Sequence, residues 1–473
     1  MQFQEAFTFP TPLSPETEAS ARELLRTQQM GQLDLLIGWV QQPERLGKLG
    51  GCATELQSLL SEAFELVERA PALAREFLEH WSTPVLLGRL LGPAAISPSA
   101  LQHLLGNLAS LLIVQRLRGE VSHGEAFFVT PRTLYCLPRG EQLDVRAPGE
   151  GRITWHFSGA QCLVTAEGEA SPGLRIPLPL TVDAPVRLQP LPWSESWKVP
   201  VLEDSELLGI TGRRERAGIP DDGSSGTWRP MPLLRSAEEA FHILGELWPE
   251  VLDWARVLLP ALVDMGGPEN RSVRCSSSYG AGTPVFLTRV ANGLEHAEDL
   301  VHELQHERMY LLLDPRVFGR WDDSRPEFVS AYRTDPRPLR GLHLGLHSFL
   351  AVNRLRLLAL DRPEFQQREW RFQLLKSHRC NLLSFRTLLD FERPTPEGRA
   401  LLAQMAVALS EQHPLIERVA DADMDQAFEA WMKNHFSRVA ASGPVVNHAE
   451  IYMDWREAAV LAAGYPQHVG AAS

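Results

Sequence analysis

The sequence predicts an α+β fold, mainly helical, with a β-rich insert at about 120–215 and a short sheet near a helix that carries a metal motif. Three observations predict it. Apolar residues recur at helical spacing over about 1–120 and again from about 235 onward. Between these stretches lie short runs rich in β-branched and aromatic residues, separated by Gly and Pro. A capped helical pattern further on contains two histidines four residues apart.

The elements follow in order. Ser14 is a fair N-cap, Pro15 suits the first helical position and Glu16 the first turn. Leu56, Leu59, Leu60, Ala63, Phe64 and Val67 mark a second helix, and Pro71 a break. Leu101, Leu104, Leu105, Leu108, Leu111 and Leu112 mark another. Strands are expected at 125–130, 133–137, 152–157 and 174–178, and a polar exposed loop at 213–228. A helix over 236–259 carries a possible break at Pro249. Strands at 273–278 and 285–289 flank a turn. Helices are expected at 292–313, 339–360, 370–389, 399–409 and 424–439, and a loose end at 470–473. The corresponding regions are a helical one (1–120), a β-rich one (121–230), a catalytic one holding the metal motif (231–410) and a C-terminal helical extension (411–473).

The chain has 473 residues, 44% hydrophobic and 22% charged, which is the balance of a globular protein. A net charge of −13 argues against a surface that tracks nucleic-acid phosphates. The apolar runs at 104–114 and 257–263 are too short for a membrane span. Met1 to Glu5 lack the basic start of a signal peptide. Five scattered cysteines, none in a CxxC pair, fit a reducing cytoplasm. The expectation is a soluble, cytoplasmic enzyme.

The chemistry lies in His302, Glu303 and His306. Asn292 with Glu295 resembles a capping box, Leu294, Ala297, Leu300, Val301, Leu304 and Leu311 give an apolar face, and Asp314-Pro315 stops the helix. Residues i and i+4 share a helix face, so His302 and His306 can both turn a ring nitrogen to one cation. Glu303 points to one side, where it can contact a metal-bound water or orient a ligand. A third protein ligand is expected elsewhere. His347 is preferred over His343, its neighbour at i−4, and Glu327 is a carboxylate alternative. Arg333 and Arg337 sit in a Pro-stiffened loop and would suit a carboxylate beside the metal, since a guanidinium fork binds one bidentately.

Three stretches carry a family resemblance: Leu300-Val-His-Glu-Leu-Gln-His, the run from Arg333 to Leu339, and the following helix with Gly341 and Gly345 as far as Phe349. The segment of about 270–355 resembles the bacterial HExxH-type peptide β-hydroxylases, iron- and 2-oxoglutarate-dependent enzymes linked to ribosomal peptide modification. Ala331-Tyr332 departs from that family's Pro-Trp, and Leu344 stands where His or Gln is frequent. The resemblance implies Fe(II), 2-oxoglutarate held by Arg337 or Arg333, and hydroxylation of a peptide side chain at its β-carbon. Ser276, Ser277 and Tyr279 would line the peptide. Spacing alone favours a zinc metallopeptidase with Glu303 as general base.

Overall fold

The computed structural model describes residues 8–42, 44, 47–49, 52–69, 98–120, 125–130, 133–136, 141–145, 152–166, 173–179, 186–190, 197, 199–202, 231–266, 276–277, 281–312, 328–363, 367–442 and 454–470. The fold is mainly helical α+β, as the sequence predicts. The break at Pro71 and the loop at 213–228 lie outside the described residues.

The chain divides into two compact units, each discontinuous in sequence. One comprises 14–239 and 256–293; the other comprises 1–13, 240–255 and 294–473.

The first unit opens with α1 (Pro15–Val40). Ser14 caps it by accepting from the Thr17 backbone N–H, and Pro15 begins it. Next come α2 (Cys52–Arg69) and α3 (Pro98–Leu117), tied by the Arg116–Glu62 ion pair at 2.9 Å. α3 is buried well beyond one face, with Ile113 and Val114 inside as well as the leucines, because it packs against strands of two sheets. The first sheet runs β1 (Ala126–Thr130), β4 (Ile153–Ser158), β5 (Gln161–Ala166), β6 (Leu174–Pro177), all antiparallel. Its alternation is strict where it meets the core: Ile153, Trp155 and Phe157 point in, Thr154, His156 and Ser158 out. The second sheet runs β2 (Thr133–Cys136), β3 (Glu141–Val145), β7 (Val186–Pro190). A third, mixed sheet joins β10 (Ser276–Ser277), β11 (Val285–Leu287), β9 (Leu262–Asp264) and β8 (Val201–Leu202) in that order.

The segment expected as one helix over 236–259 is two, α4 (Leu233–Leu247) and α5 (Pro249–Leu258), broken before the proline as anticipated.

The second unit is a helical assembly. It holds α6 (Gly293–Leu312), α7 (Leu339–Leu358), α8 (Arg368–Phe391), α9 (Pro396–Glu417), α10 (Ala422–Ser442) and α11 (Trp455–Gly470). α7 packs on α8 and α9, and α11 packs on α8 and α9. The core draws on α7 through α11, with Leu346, Phe385, Leu401, Met405, Phe428 and Ala458 among its buried members. Thr395 caps α9 by accepting from the Gly398 N–H. Among the described residues no helix is long and apolar enough to cross a membrane.

Candidate metal centre

α6 positions the motif. Its first residue, Gly293, donates its N–H to Glu239 Oε2 at 3.1 Å, satisfying one of the open donors of the helix start. Leu294, Ala297, Leu300, Val301, Leu304 and Leu311 are buried as their spacing requires. So are His296, Glu298, Asp299, Glu303, Gln305, Glu307 and Arg308. A buried charge is strongly destabilising unless another group pairs with it. Arg356 of α7 does so for Glu298, as a bidentate fork with Nε–Oε1 at 2.5 Å and Nη2–Oε2 at 2.9 Å. The same guanidinium donates to the Gln373 carbonyl and to Ser377 Oγ of α8. One arginine thereby ties three helices.

One turn after Glu298, the ligand-bearing atoms of His302, Glu303 and His306 lie within 4.8 Å of one another. The two Nε2 atoms are 3.0 Å apart and the rings meet edge to face. That separation fits the donor set of a metal site: two bonds of about 2.1 Å at a right angle span about 3.0 Å. Burial holds the His306 imidazole neutral by pulling its pKa down to about 4, so its ring is in the ligating form at neutral pH. His306 Nδ1 is buried with no hydrogen-bond partner among the described residues.

α7 runs antiparallel to α6. Glu298 meets Arg356, His302 meets Phe349 and Tyr310 lies under the Arg340 guanidinium. By that register His306, midway between 302 and 310, stands level with Gly345. The Phe349 ring lies 4.8 Å from that of His302, and Tyr332 stacks on Phe349 at 4.3 Å. Gly345 makes room for this: a Cβ there would come within 3.2 Å of the Tyr332 ring. The Tyr332 hydroxyl donates to Asn381 Oδ1 of α8. Sequence reading gave Tyr332 and Phe349 no role; the signal was an aromatic one turn beyond a helix glycine.

Neither histidine of α7 belongs to the three-residue group. His343 Nε2 is hydrogen-bonded to Glu392, both fully buried, which makes it a core hydrogen-bond partner. His347 is fully buried two residues before Phe349. Two residues are about 200° of helix, so His347 projects away from the face that α7 turns to His302. Glu327 lies outside the described residues.

The arginine loop is closed by backbone pairing of Phe328 with Arg337 at 3.0 and 2.8 Å, and Tyr332 projects from it onto Phe349. Arg333 is exposed and pairs with Asp335 Oδ1 at 3.1 Å. Arg337 is half-buried, leans over Gly341 and reaches Asp335 Oδ2 through Nη2 at 2.9 Å. Its buried Nε has no partner among the described residues. Burial, then the Arg333 charge, lowers its pKa, while Asp335 opposes the shift. Ser276 is half-buried on the edge strand of the mixed sheet, in the first unit, paired with Leu287. The Ser277 side chain and all of Tyr279 lie outside the described residues.

No protein-family model matches the chain, and no curated protein shows significant similarity to it.

Proposed function

We propose that the chain is a non-haem iron(II)- and 2-oxoglutarate-dependent dioxygenase of the cytoplasm that hydroxylates a peptide side chain at its β-carbon, in peptide natural-product maturation. His302 and His306 hold the metal. Iron with 2-oxoglutarate supplies the oxidising chemistry, and the few protein ligands leave positions for the cosubstrate and dioxygen. Glu303 sits beside the ligand nitrogens to accept a hydrogen bond from a metal-bound group. Arg337 takes the distal carboxylate of 2-oxoglutarate through its guanidinium, with Arg333 adding positive charge. Ser276, Ser277 and Tyr279 are the proposed peptide contacts.

One observation carries this reading. The arginine loop packs through Tyr332 onto Phe349, whose ring meets that of His302, so Arg337 is held to the same helix pair as His302 and His306. Arg337 leans over Gly341, four residues or about 6 Å along the helix from Gly345 and the level of His306. A five-carbon dicarboxylate spans about 5 Å between its carboxyl carbons. The buried free thiols of Cys52, Cys162 and Cys380 suit a reducing cytoplasm.

The test is succinate formation from 2-oxoglutarate under oxygen with Fe(II) present. Arg337→Ala should raise KM for 2-oxoglutarate about tenfold or more, as expected for loss of a charged hydrogen bond, and His302→Ala should abolish turnover. A second reading is favoured by one fact: Glu303 is buried and its carboxylate lies within 4.8 Å of both ring nitrogens. That is where the general base of a zinc metallopeptidase would stand. Zinc-dependent peptide hydrolysis lost in Glu303→Gln, with no succinate formed, would decide for it.

A further inference from the structure

The arginine loop is fastened by helices other than the pair that carries the metal motif. Its ends are paired to each other at Phe328 and Arg337, and Arg333 and Arg337 pair with Asp335 inside it. Bonds that reach outward come from residues 330–332. His435 Nε2 of α10 lies 2.8 Å from the Ser330 carbonyl. A carbonyl only accepts, so Nε2 carries the proton and donates. Cys380 of α8 donates its thiol to the next carbonyl, that of Ala331, at 3.3 Å, and the Tyr332 hydroxyl donates to Asn381. Ser330 Oγ accepts from the Tyr332 N–H at 3.2 Å, which ties the residue held by His435 to the one that stacks on Phe349. His435 is itself held in place. It is buried, its ring stacks on that of Trp431 at 4.8 Å, and Lys376 Nζ of α8 lies 4.2 Å from the centre of the same indole.

We propose that His435 is a positioning residue: by holding the Ser330 carbonyl to α10 it fixes the arginine loop, and with it the guanidinium that takes the 2-oxoglutarate carboxylate. This role rests on the hydroxylase reading for the identity of that ligand. Backbone pairing at its base alone would leave the loop a hinge, and attachment to α8 and α10 beyond the base removes it. Arg337 is thereby placed through the backbone and not through its own guanidinium, whose donors are needed for the carboxylate. α10 lies beyond the segment that carries the motif, so the C-terminal extension takes part in the site.

Two amide variants of the full-length chain test it. His435→Asn puts its amide nitrogen where Nδ1 stands and stops short of the Ser330 carbonyl, whereas His435→Gln reaches as far as Nε2 and keeps the donor. Hydrogen exchange of the metal-free chain over 328–337 should be about threefold or more faster in the asparagine variant and return to the parent rate with glutamine. KM for 2-oxoglutarate, from succinate formation with Fe(II), should rise about three- to tenfold in the asparagine variant, the size of one neutral hydrogen bond and a larger change than in kcat. Glutamine should restore it. His435→Phe keeps a ring against Trp431 without the donor, and replaces asparagine if that variant fails to fold. Exchange over 328–337 equal to the parent's overturns the proposal, as does an unchanged KM or a loss of kcat that glutamine leaves unrepaired. A parent chain that forms no succinate strikes the hydroxylase reading and this role with it. A parent chain that turns over, with variants that match it, strikes the role alone.

Discussion

Arg356 and Glu298 show at the level of single residues how α6 is kept inside the protein. The pair is almost wholly enclosed, and the arginine also holds the Gln373 carbonyl and Ser377. Removing one partner leaves the other charge buried, so Arg356→Met should cost about 3–5 kcal/mol by chemical denaturation. The double change with Glu298→Gln should cost less than the sum of the single changes. His378 on α8 governs a second residue-scale property. Its Nε2 is 3.1 Å from His413 Nδ1, and burial, then His413 and Arg379, pulls its pKa down to about 3. An unfolded histidine titrates near 6.5. Between those values the unfolded chain binds a proton that the folded chain refuses, so stability falls as pH drops from about 6.5 toward 3. The slope from this residue is at most about 1.4 kcal/mol per pH unit. Urea midpoints between pH 7 and 4 should fall less steeply in His378→Asn than in the parent chain; equal slopes would contradict the assignment.

Elements were legible in the sequence where local chemistry decides them. Ser14-Pro15, the break before Pro249 and the apolar spacing of α6 all fold as read, because caps, prolines and periodicity act within a turn or two. β3 and β5 were missed, since Leu143 and Val145, or Cys162 and Val164, turn inward among polar neighbours in runs too short to stand out. α11 was missed because a small-residue helix shows its apolar face only against its partners. The HExxH cluster was legible because its two histidines need only their own helix. His343 and His347 repeat that spacing, yet tertiary contacts give His343 to Glu392 and turn Phe349 to His302. The Tyr332–Phe349 stack depends on the lack of a side chain at Gly345. Gly345→Ala should displace the Tyr332 ring by a few tenths of an ångström, at about 1–3 kcal/mol of stability. It should also raise KM for 2-oxoglutarate through the attached arginine loop. In a Tyr332→Ala background, which carries its own cost, Gly345→Ala should cost less than it does in the parent chain; an equal cost in the two backgrounds would show that the crowding lies elsewhere.

For the whole molecule, the division of labour is between two units of different construction. One surrounds α3 with antiparallel sheets and carries the mixed sheet; the other is helical and contains His302, Glu303, His306, Arg333 and Arg337 together. Its ligand-bearing helix is enclosed by charged and aromatic partners from α7, α5 and the segment around Thr8. Such a setting would hold the two imidazoles in place for the proposed iron. Anaerobic titration of metal-stripped protein with Fe(II) and then 2-oxoglutarate, followed by visible absorption, tests whether His302 and His306 hold that iron. The expected result is a weak charge-transfer band that needs both components and disappears in His302→Ala. Absence of that band, with tight zinc binding in its place, would contradict it.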